Sequence, residues 1–308
     1  MYQNVYYEKE GGIIHCWDDT KGYFTKKYRN YAYVRDGNGA HESINGERLK
    51  KINFWKNEDN LKLYESDVNE MTRFLIDEYG DSDEVSDGHV IMTFDIEVEM
   101  NSGLPDTDKA ENTITSVAFH DSATNDYFAY VLSEGEEINK TIKGAKVRSF
   151  RTEEDMLVAF VNAWEEISPT IITGWNIDFC DVTYLYNRLK RVLGTKQANR
   201  LSPIGKVHWN KYRKRYLIAG VSALDYIALF KNFTYTEYPN YRLDTIAQLE
   251  LGRGKIEYDG NLDQLFRDDI EKFVEYNLVD VELVVDMDKK LQFIDLARAI
   301  CHAGHVFY

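Results

Sequence analysis

Cysteine is scarce in this chain of 308 residues. Cys16, Cys180 and Cys301 are too few and too scattered for a disulfide framework or a Cys-x-x-Cys metal site, which fits reducing, cytosolic surroundings. Long apolar runs are absent as well. No stretch approaches the roughly eighteen apolar residues that a membrane span requires, and the polar opening Met1-Tyr2-Gln3-Asn4 is unlike a signal peptide. Histidine is sparse, with seven residues, so a zinc site is not the first expectation. Positive charge is in deficit: 37 basic against 52 acidic residues give a net charge of -15, which argues against broad electrostatic adhesion to nucleic acid. There is no internal repeat and no low-complexity tract.

What is present is enough for a real core, since 44% of the residues are hydrophobic. Residues 1–65 carry short alternating stretches broken by turns at Gly11-Gly12, Lys21-Gly22 and Asp36-Gly37-Asn38-Gly39, which predicts a small β-rich module. Residues 65–79 read as a helix, and the polar, acidic run 80–88 marks a domain boundary. Beyond it, 90–94, 113–120, 127–132 and 170–173 read as strands, and 153–167 as an amphipathic helix. Strands and helices alternate, so an α/β sheet is expected. Residues 222–230, 244–251, 263–266 and 270–287 read as a helical second half.

Acidic residues recur in three informative places. Asp95 and Glu97 stand two apart at the end of Val90-Ile91-Met92-Thr93-Phe94, an apolar run that reads as a buried strand, so both carboxylates face one side. Asp181 follows Asn176-Ile177-Asp178-Phe179-Cys180. Tyr276 and Asp280 are four apart in a segment whose Phe273, Val274, Leu278, Val281, Val284 and Val285 recur at helical spacing, which places phenol and carboxylate on one helix face. Four such acids can hold two divalent cations. Oxygen donors suit Mg²⁺ or Mn²⁺, and a carboxylate-bound ion pair is a recurring device for displacement at phosphorus, so phosphodiester hydrolysis is the expected chemistry. Any one Asp-x-Glu or Tyr-x-x-x-Asp in so acidic a chain is more often a solvated pair; order and context raise the odds.

From Arg188 to Arg215 the balance reverses, with ten basic residues and no acid. Trp209, Tyr212 and Tyr216 lie among these cations, a mixture suited to stacking on unpaired bases. Residues 207–209 and 216–219 read as the two strands of a hairpin around Asn210-Lys211.

Asp95-Ile96-Glu97, then Gly174-Trp175-Asn176-Ile177-Asp178-Phe179-Cys180-Asp181 with Tyr184-Leu185-Tyr186-Asn187-Arg188, then Tyr276-Asn277-Leu278-Val279-Asp280 resemble the three exonuclease motifs of family B DNA polymerases, in particular those of T-even-like bacteriophages. The likeness extends to Leu201-Ser202-Pro203, Leu224-Asp225-Tyr226-Ile227 and Gly254-Lys255-Ile256-Glu257-Tyr258-Asp259-Gly260, and so covers roughly residues 90–290. One departure is local: Cys180 stands where the family sets an aromatic residue before its aspartate, with Phe179 one place earlier.

The resemblance implies a ribonuclease H-like (DnaQ-like) α/β exonuclease domain over residues 89–290, preceded by the β-rich N-terminal domain 1–88 and followed by 291–308 as the start of the return segment to that N-terminal domain. It implies a 3'-5' proofreading exonuclease with two divalent cations, Mg²⁺ or Mn²⁺. Asp95, Glu97 and Asp280 would hold one and Asp95 and Asp181 the other, with Tyr276 orienting the nucleophile. Leu104, Asn176, Arg188, Lys211, Arg213, Lys214 and Arg215 are the expected contacts to single-stranded or frayed primer DNA. The hairpin would help move the primer end between sites, as in the phage enzymes.

Asp106-Thr107-Asp108 reads as a loop rather than a polymerase strand-turn-strand, so the chain is expected not to copy DNA alone. The expected partner is a polymerase core of palm, fingers and thumb, with the sliding clamp reached through it, in the cytoplasm of an infected bacterial host and with no membrane. That partner is also expected to cover Phe293, Ile294, Leu296, Ala297, Ile300, Val306 and Phe307. A template- or mRNA-binding subunit with a silent nuclease centre, and a stand-alone repair exonuclease, are the alternatives.

Overall fold

The computed structural model describes residues 1–53, 62–100, 105–135 and 137–308. They divide into two compact units, Met1–Asp87 with Ala299–Phe307, and Gly88–Arg298 with Tyr308.

In the first unit β1 (Tyr2–Glu8), β2 (Ile13–Asp18) and β3 (Gly22–Lys27) form an antiparallel sheet in that order. A second sheet orders β4 (Ala32–Arg35), β5 (His41–Glu42), β6 (Arg48–Ile52) and β7 (Leu63–Tyr64) as β5-β6-β4-β7. Helix α1 (Glu70–Tyr79) is shorter than the predicted 65–79, because Asn69 caps it by accepting from the Thr72 N–H. Its Phe74, Leu75 and Tyr79 pack on Tyr2, Val5, Ile14 and Cys16.

The second unit is mixed α/β. Its strands are β8 (Ile91–Val98), β9 (Ile114–Asp121), β10 (Asp126–Leu132), β11 (Asn139–Ile142), β12 (Ala145–Phe150) and β13 (Ile171–Gly174), with α2 (Glu153–Ile167), α3 (Asp181–Leu193) and α4 (Thr195–Ala198) among them. Next come the hairpin β14 (Val207–Asn210) and β15 (Arg215–Ile218), then β16 (Ser222–Asp225). Helices α5 (Tyr226–Phe233), α6 (Leu243–Leu251), α7 (Leu262–Asp268) and α8 (Ile270–Leu291) follow, and α9 (Phe293–Ala303) passes from this unit to the first at Ala299. One seven-stranded sheet, ordered β11-β12-β10-β9-β8-β13-β16, is antiparallel from β10 through β9 to β8 and parallel from β8 through β13 to β16. Residues 222–225, predicted as helix, are instead its edge strand: they pair with β13, and Asp225 then caps α5.

Both faces of the sheet are covered. Phe94, Ile96, Val117 and Phe119 pack with Leu157, Phe160 and Trp164 of α2 and Leu185 and Leu189 of α3, while Ala118, Ala129 and Val147 pack with Phe273, Val274, Leu278 and Val281 of α8. Phe293, Ile294 and Ala297 are buried with Tyr226, Phe230 and Leu283, so part of the apolar set expected to need a partner is covered by the chain itself. Among the described residues no helix is long and apolar enough to cross a membrane.

Candidate metal centre

Strand alternation puts Asp95 and Glu97 on the α8 face of β8, opposite Ala118 and Ser116 of β9. From α8, Asp280 meets them, and one oxygen from each of the three lies within 4.8 Å of the others. Asp181, the first residue of α3, is buried alongside: its Oδ1 accepts from the N–H of Ile96, the residue between the two strand acids, at 3.4 Å.

The segment carrying Asp181 is tightly built. Gly174 ends β13 where a Cβ would lie 2.5 Å from both the Phe94 carbonyl oxygen and Ile177, so only glycine lets the strand turn there. Asn176 follows with a left-handed φ of 69°. The Asp225 carboxylate accepts from the N–H groups of Asn176 (2.9 Å), Asp178 (3.2 Å) and Ile227 (3.1 Å), fastening the segment to the start of α5.

Asn277 fixes Asp95 by donating Nδ2–H to its Oδ2 at 2.7 Å, while Ser116 Oγ donates to Asn277 Oδ1 at 2.8 Å. Lys255 comes from the segment between α6 and α7. Its ammonium pairs with Asp280 Oδ2, donates to the Tyr276 hydroxyl at 3.2 Å and lies over that ring. Its backbone N–H bonds Asp244 at 2.8 Å, and a Cβ at Gly254 would lie 2.2 Å from that same carboxylate oxygen.

Burial drives the electrostatics. Desolvation, then the charges of Asp181, Asp280 and Glu97, pushes Asp95 well above the usual carboxylate range. Burial and Asp280 raise Glu97 to about 8, and burial, opposed by the Ile96 N–H, raises Asp181 to about 7. Asp280 is raised by burial against the pull of Lys255, whose own ammonium is held charged by Asp280 and Tyr276 despite its burial. Tyr276 is raised by burial and by Asp280, so it stays a neutral phenol. Four carboxylates against one ammonium leave a buried charge deficit. Asp280 Oδ1 is buried with no hydrogen-bond partner. An all-oxygen donor set with an orphaned lone pair, whose raised carboxylates hold protons that a cation can displace, fits divalent cations.

Of the expected nucleic-acid contacts, Lys211, Arg213 and Lys214 are exposed at the β14–β15 turn, with Tyr212 87% and Trp209 43% exposed. Asn176 is a bend in the Asp181 segment, and Leu104 lies outside the described residues. Two of the expected contacts are engaged within the fold. Arg188 is buried, pairs with both Glu153 oxygens (2.6 and 2.8 Å) and donates to the carbonyls of Ala110 and Glu111, which leaves no face for a phosphate. Arg215 is ion-paired with Asp178 and its side chain is only 12% exposed. Phe179, displaced from the family position, is 75% exposed. Sequence reasoning assigned no role to Lys255, Asn277 or Asp225, although all three stand inside segments that carried the resemblance.

The family described as DNA polymerase family B, exonuclease domain, matches residues 79–246. The DNA-directed DNA polymerase of Escherichia phage RB69 is 33% identical over 235 residues, 67% of this chain and 26% of its own length. That of Enterobacteria phage T4 is 33% identical over 258 residues, 74% of this chain and 29% of its own. DNA polymerase 1 of Saccharolobus solfataricus is 27% identical over 285 residues, 79% of this chain and 29% of its own. The chain thus spans less than a third of the length of these relatives.

Proposed function

The chain belongs to the family B DNA polymerase exonuclease-domain family, and from that premise we propose that it is a metal-dependent 3'-5' exonuclease that releases nucleoside monophosphates from a DNA 3' end. In this reading residues 89–290 are a ribonuclease H-like domain serving as the proofreading part of a phage-type polymerase, whose palm, fingers and thumb belong to a partner polymerase core that also reaches the sliding clamp. Its place of action is the cytoplasm of an infected bacterial host. The observation that carries the reading is the convergence of Asp95, Glu97 and Asp280 within 4.8 Å, with Asp181 beside them.

Asp95, Glu97 and Asp280 would hold one Mg²⁺ or Mn²⁺ and Asp95 with Asp181 a second. Bound there, the ions supply charge neutralisation at the phosphodiester and an activated water. The side chains do the rest. Asn277 and Ser116 fix the rotamer of Asp95, the Ile96 N–H holds Asp181, and the neutral Tyr276 phenol orients a water by hydrogen bonding. Lys255 holds Asp280 in place and keeps a cation beside that phenol.

The deciding experiment follows a 5'-labelled oligonucleotide on a gel with Mg²⁺ or Mn²⁺. A ladder shortening from the 3' end, lost with EDTA, is expected. An intact oligonucleotide, or release of the 5' label, overturns the proposal.

A further inference from the structure

Asp178 belongs to no metal cluster among the described residues, yet it is positioned with care. It projects from the segment that delivers Asp181 and reaches Arg215 at the start of β15. The pair is made through a single contact, Arg215 Nη1 to Asp178 Oδ2, and both Asp178 Oδ1 and Arg215 Nε are buried without a hydrogen-bond partner. Arg188 and Glu153, in the same unit, close the two-pronged pairing usual for arginine and carboxylate. A half-buried pair that desolvates two charges and makes only half of its bonds is a poor purely structural brace.

Its placement suggests another use. In the same hairpin, the turn that immediately precedes Arg215 exposes Tyr212, Arg213 and Lys214. Directly after that turn Arg215, paired with Asn210 across the hairpin, grips the segment before Asp181, and α3 begins with no side-chain cap, its start tied to the segment by backbone bonds such as Val182 N–H to the Ile177 carbonyl at 3.0 Å. On the other side the Asp225 carboxylate holds the N–H groups of Asn176 and Asp178.

We propose that the Arg215–Asp178 pair is the link through which the β14–β15 hairpin sets the position of Asp181, so that engagement of a strand at the turn is felt at a cation ligand. The two are positioning residues, and the proposal rests on the nuclease reading above. With the pair closed, the segment is held from both sides; with it open, the hairpin side is released and Asp181 keeps the Asp225 anchor of its segment and its own bond from the Ile96 N–H.

The test uses the whole chain with Arg215→Ala, Arg215→Lys, and the exchanged pair Asp178→Arg with Arg215→Asp. Mn²⁺ affinity is measured by calorimetric titration without DNA, and kcat and KM are measured on single-stranded DNA. Arg215→Ala should weaken Mn²⁺ binding and lower kcat by about tenfold each with KM unchanged, and the exchanged pair should recover most of both. Unchanged Mn²⁺ affinity, a loss confined to KM, or a folded exchanged pair that recovers nothing overturns the link. If Arg215→Ala does not fold, Arg215→Lys decides, with a smaller loss of the same kind expected. Should the wild-type chain bind Mn²⁺ and cleave nothing, the nuclease reading falls, while the titration still decides the link.

Discussion

Asn277 holds Asp95 at 2.7 Å from one end of its amide and is itself held by Ser116 at 2.8 Å from the other, so a fully buried neutral side chain fixes the carboxylate shared by both proposed cations. Asn277→Ala should free Asp95 and lower turnover by about tenfold, with Mn²⁺ affinity weakened to match. Calorimetric titration beside a turnover assay checks this, and an unchanged affinity would show that Asp95 needs no such support.

Asp95→Ala, alone or with Glu97→Ala, should abolish cleavage while the protein stays folded, since these carboxylates repel one another without cations. The expected loss is about a thousandfold or more, ~4 kcal/mol of transition-state stabilisation. Circular dichroism and single-turnover kinetics measure the two halves of this statement; near-normal turnover in Asp95→Ala would remove that residue from the site.

Tyr276 and Lys255 touch each other and Asp280, yet their expected contributions differ. Tyr276→Phe removes an orienting hydroxyl and should cost about one to two powers of ten in kcat. Asp280→Ala removes a proposed cation ligand and should cost more. Lys255→Met leaves Asp280 buried without its counter-charge, so kcat should fall by about tenfold or more even though Lys255 is no cation ligand. Equal losses in Tyr276→Phe and Asp280→Ala would refute this division of roles.

Much of this was legible because it is local. The apolar run before Asp95, with acids two apart, marked β8, and helical spacing marked α8. What escaped depends on distant partners. Residues 222–225 are too short to show alternation, and only pairing with β13 makes them a strand. Arg188 read as a free cation within a basic block because Glu153, its partner, lies 35 positions away. Lys255 is a single lysine in a loop, and only the fold brings it to Asp280. No local signal ties residues 299–307 to the first unit, and only the resemblance offered a return segment there.

The raised carboxylates give the apo protein a definite pH dependence. Glu97 is raised to about 8 and Asp181 to about 7, so the folded state retains protons that the unfolded chain has released above about pH 4. Stability therefore falls as pH rises from about 4 to about 8, opposite to the behaviour of a salt-bridged carboxylate. Mn²⁺ competes with those protons and should raise the melting temperature more at about pH 8 than at about pH 5. Thermal melts of the wild type and of Asp95→Ala with Glu97→Ala decide the matter: the double variant should show a flatter profile, and identical profiles would mean that the cluster does not set the slope.

The basic block should separate by what each cation touches. Neutralising Lys211, Arg213 and Lys214 at the exposed turn should weaken single-strand binding and flatten its salt dependence by roughly 0.7 per lost phosphate contact. Tyr212→Ala should weaken binding with no change in that slope, since stacking releases no counterions. Arg188→Ala should leave the slope intact and instead destabilise the fold by about 3 kcal/mol, because it leaves Glu153 without its counter-charge and the buried Ala110 carbonyl without a donor. Fluorescence anisotropy across a salt series, paired with denaturant melts, reads all three. A slope unchanged by the turn substitutions would make the turn a solvated face and leave the exposed Phe179 beside Asp181 as the next surface to test for the unpaired end.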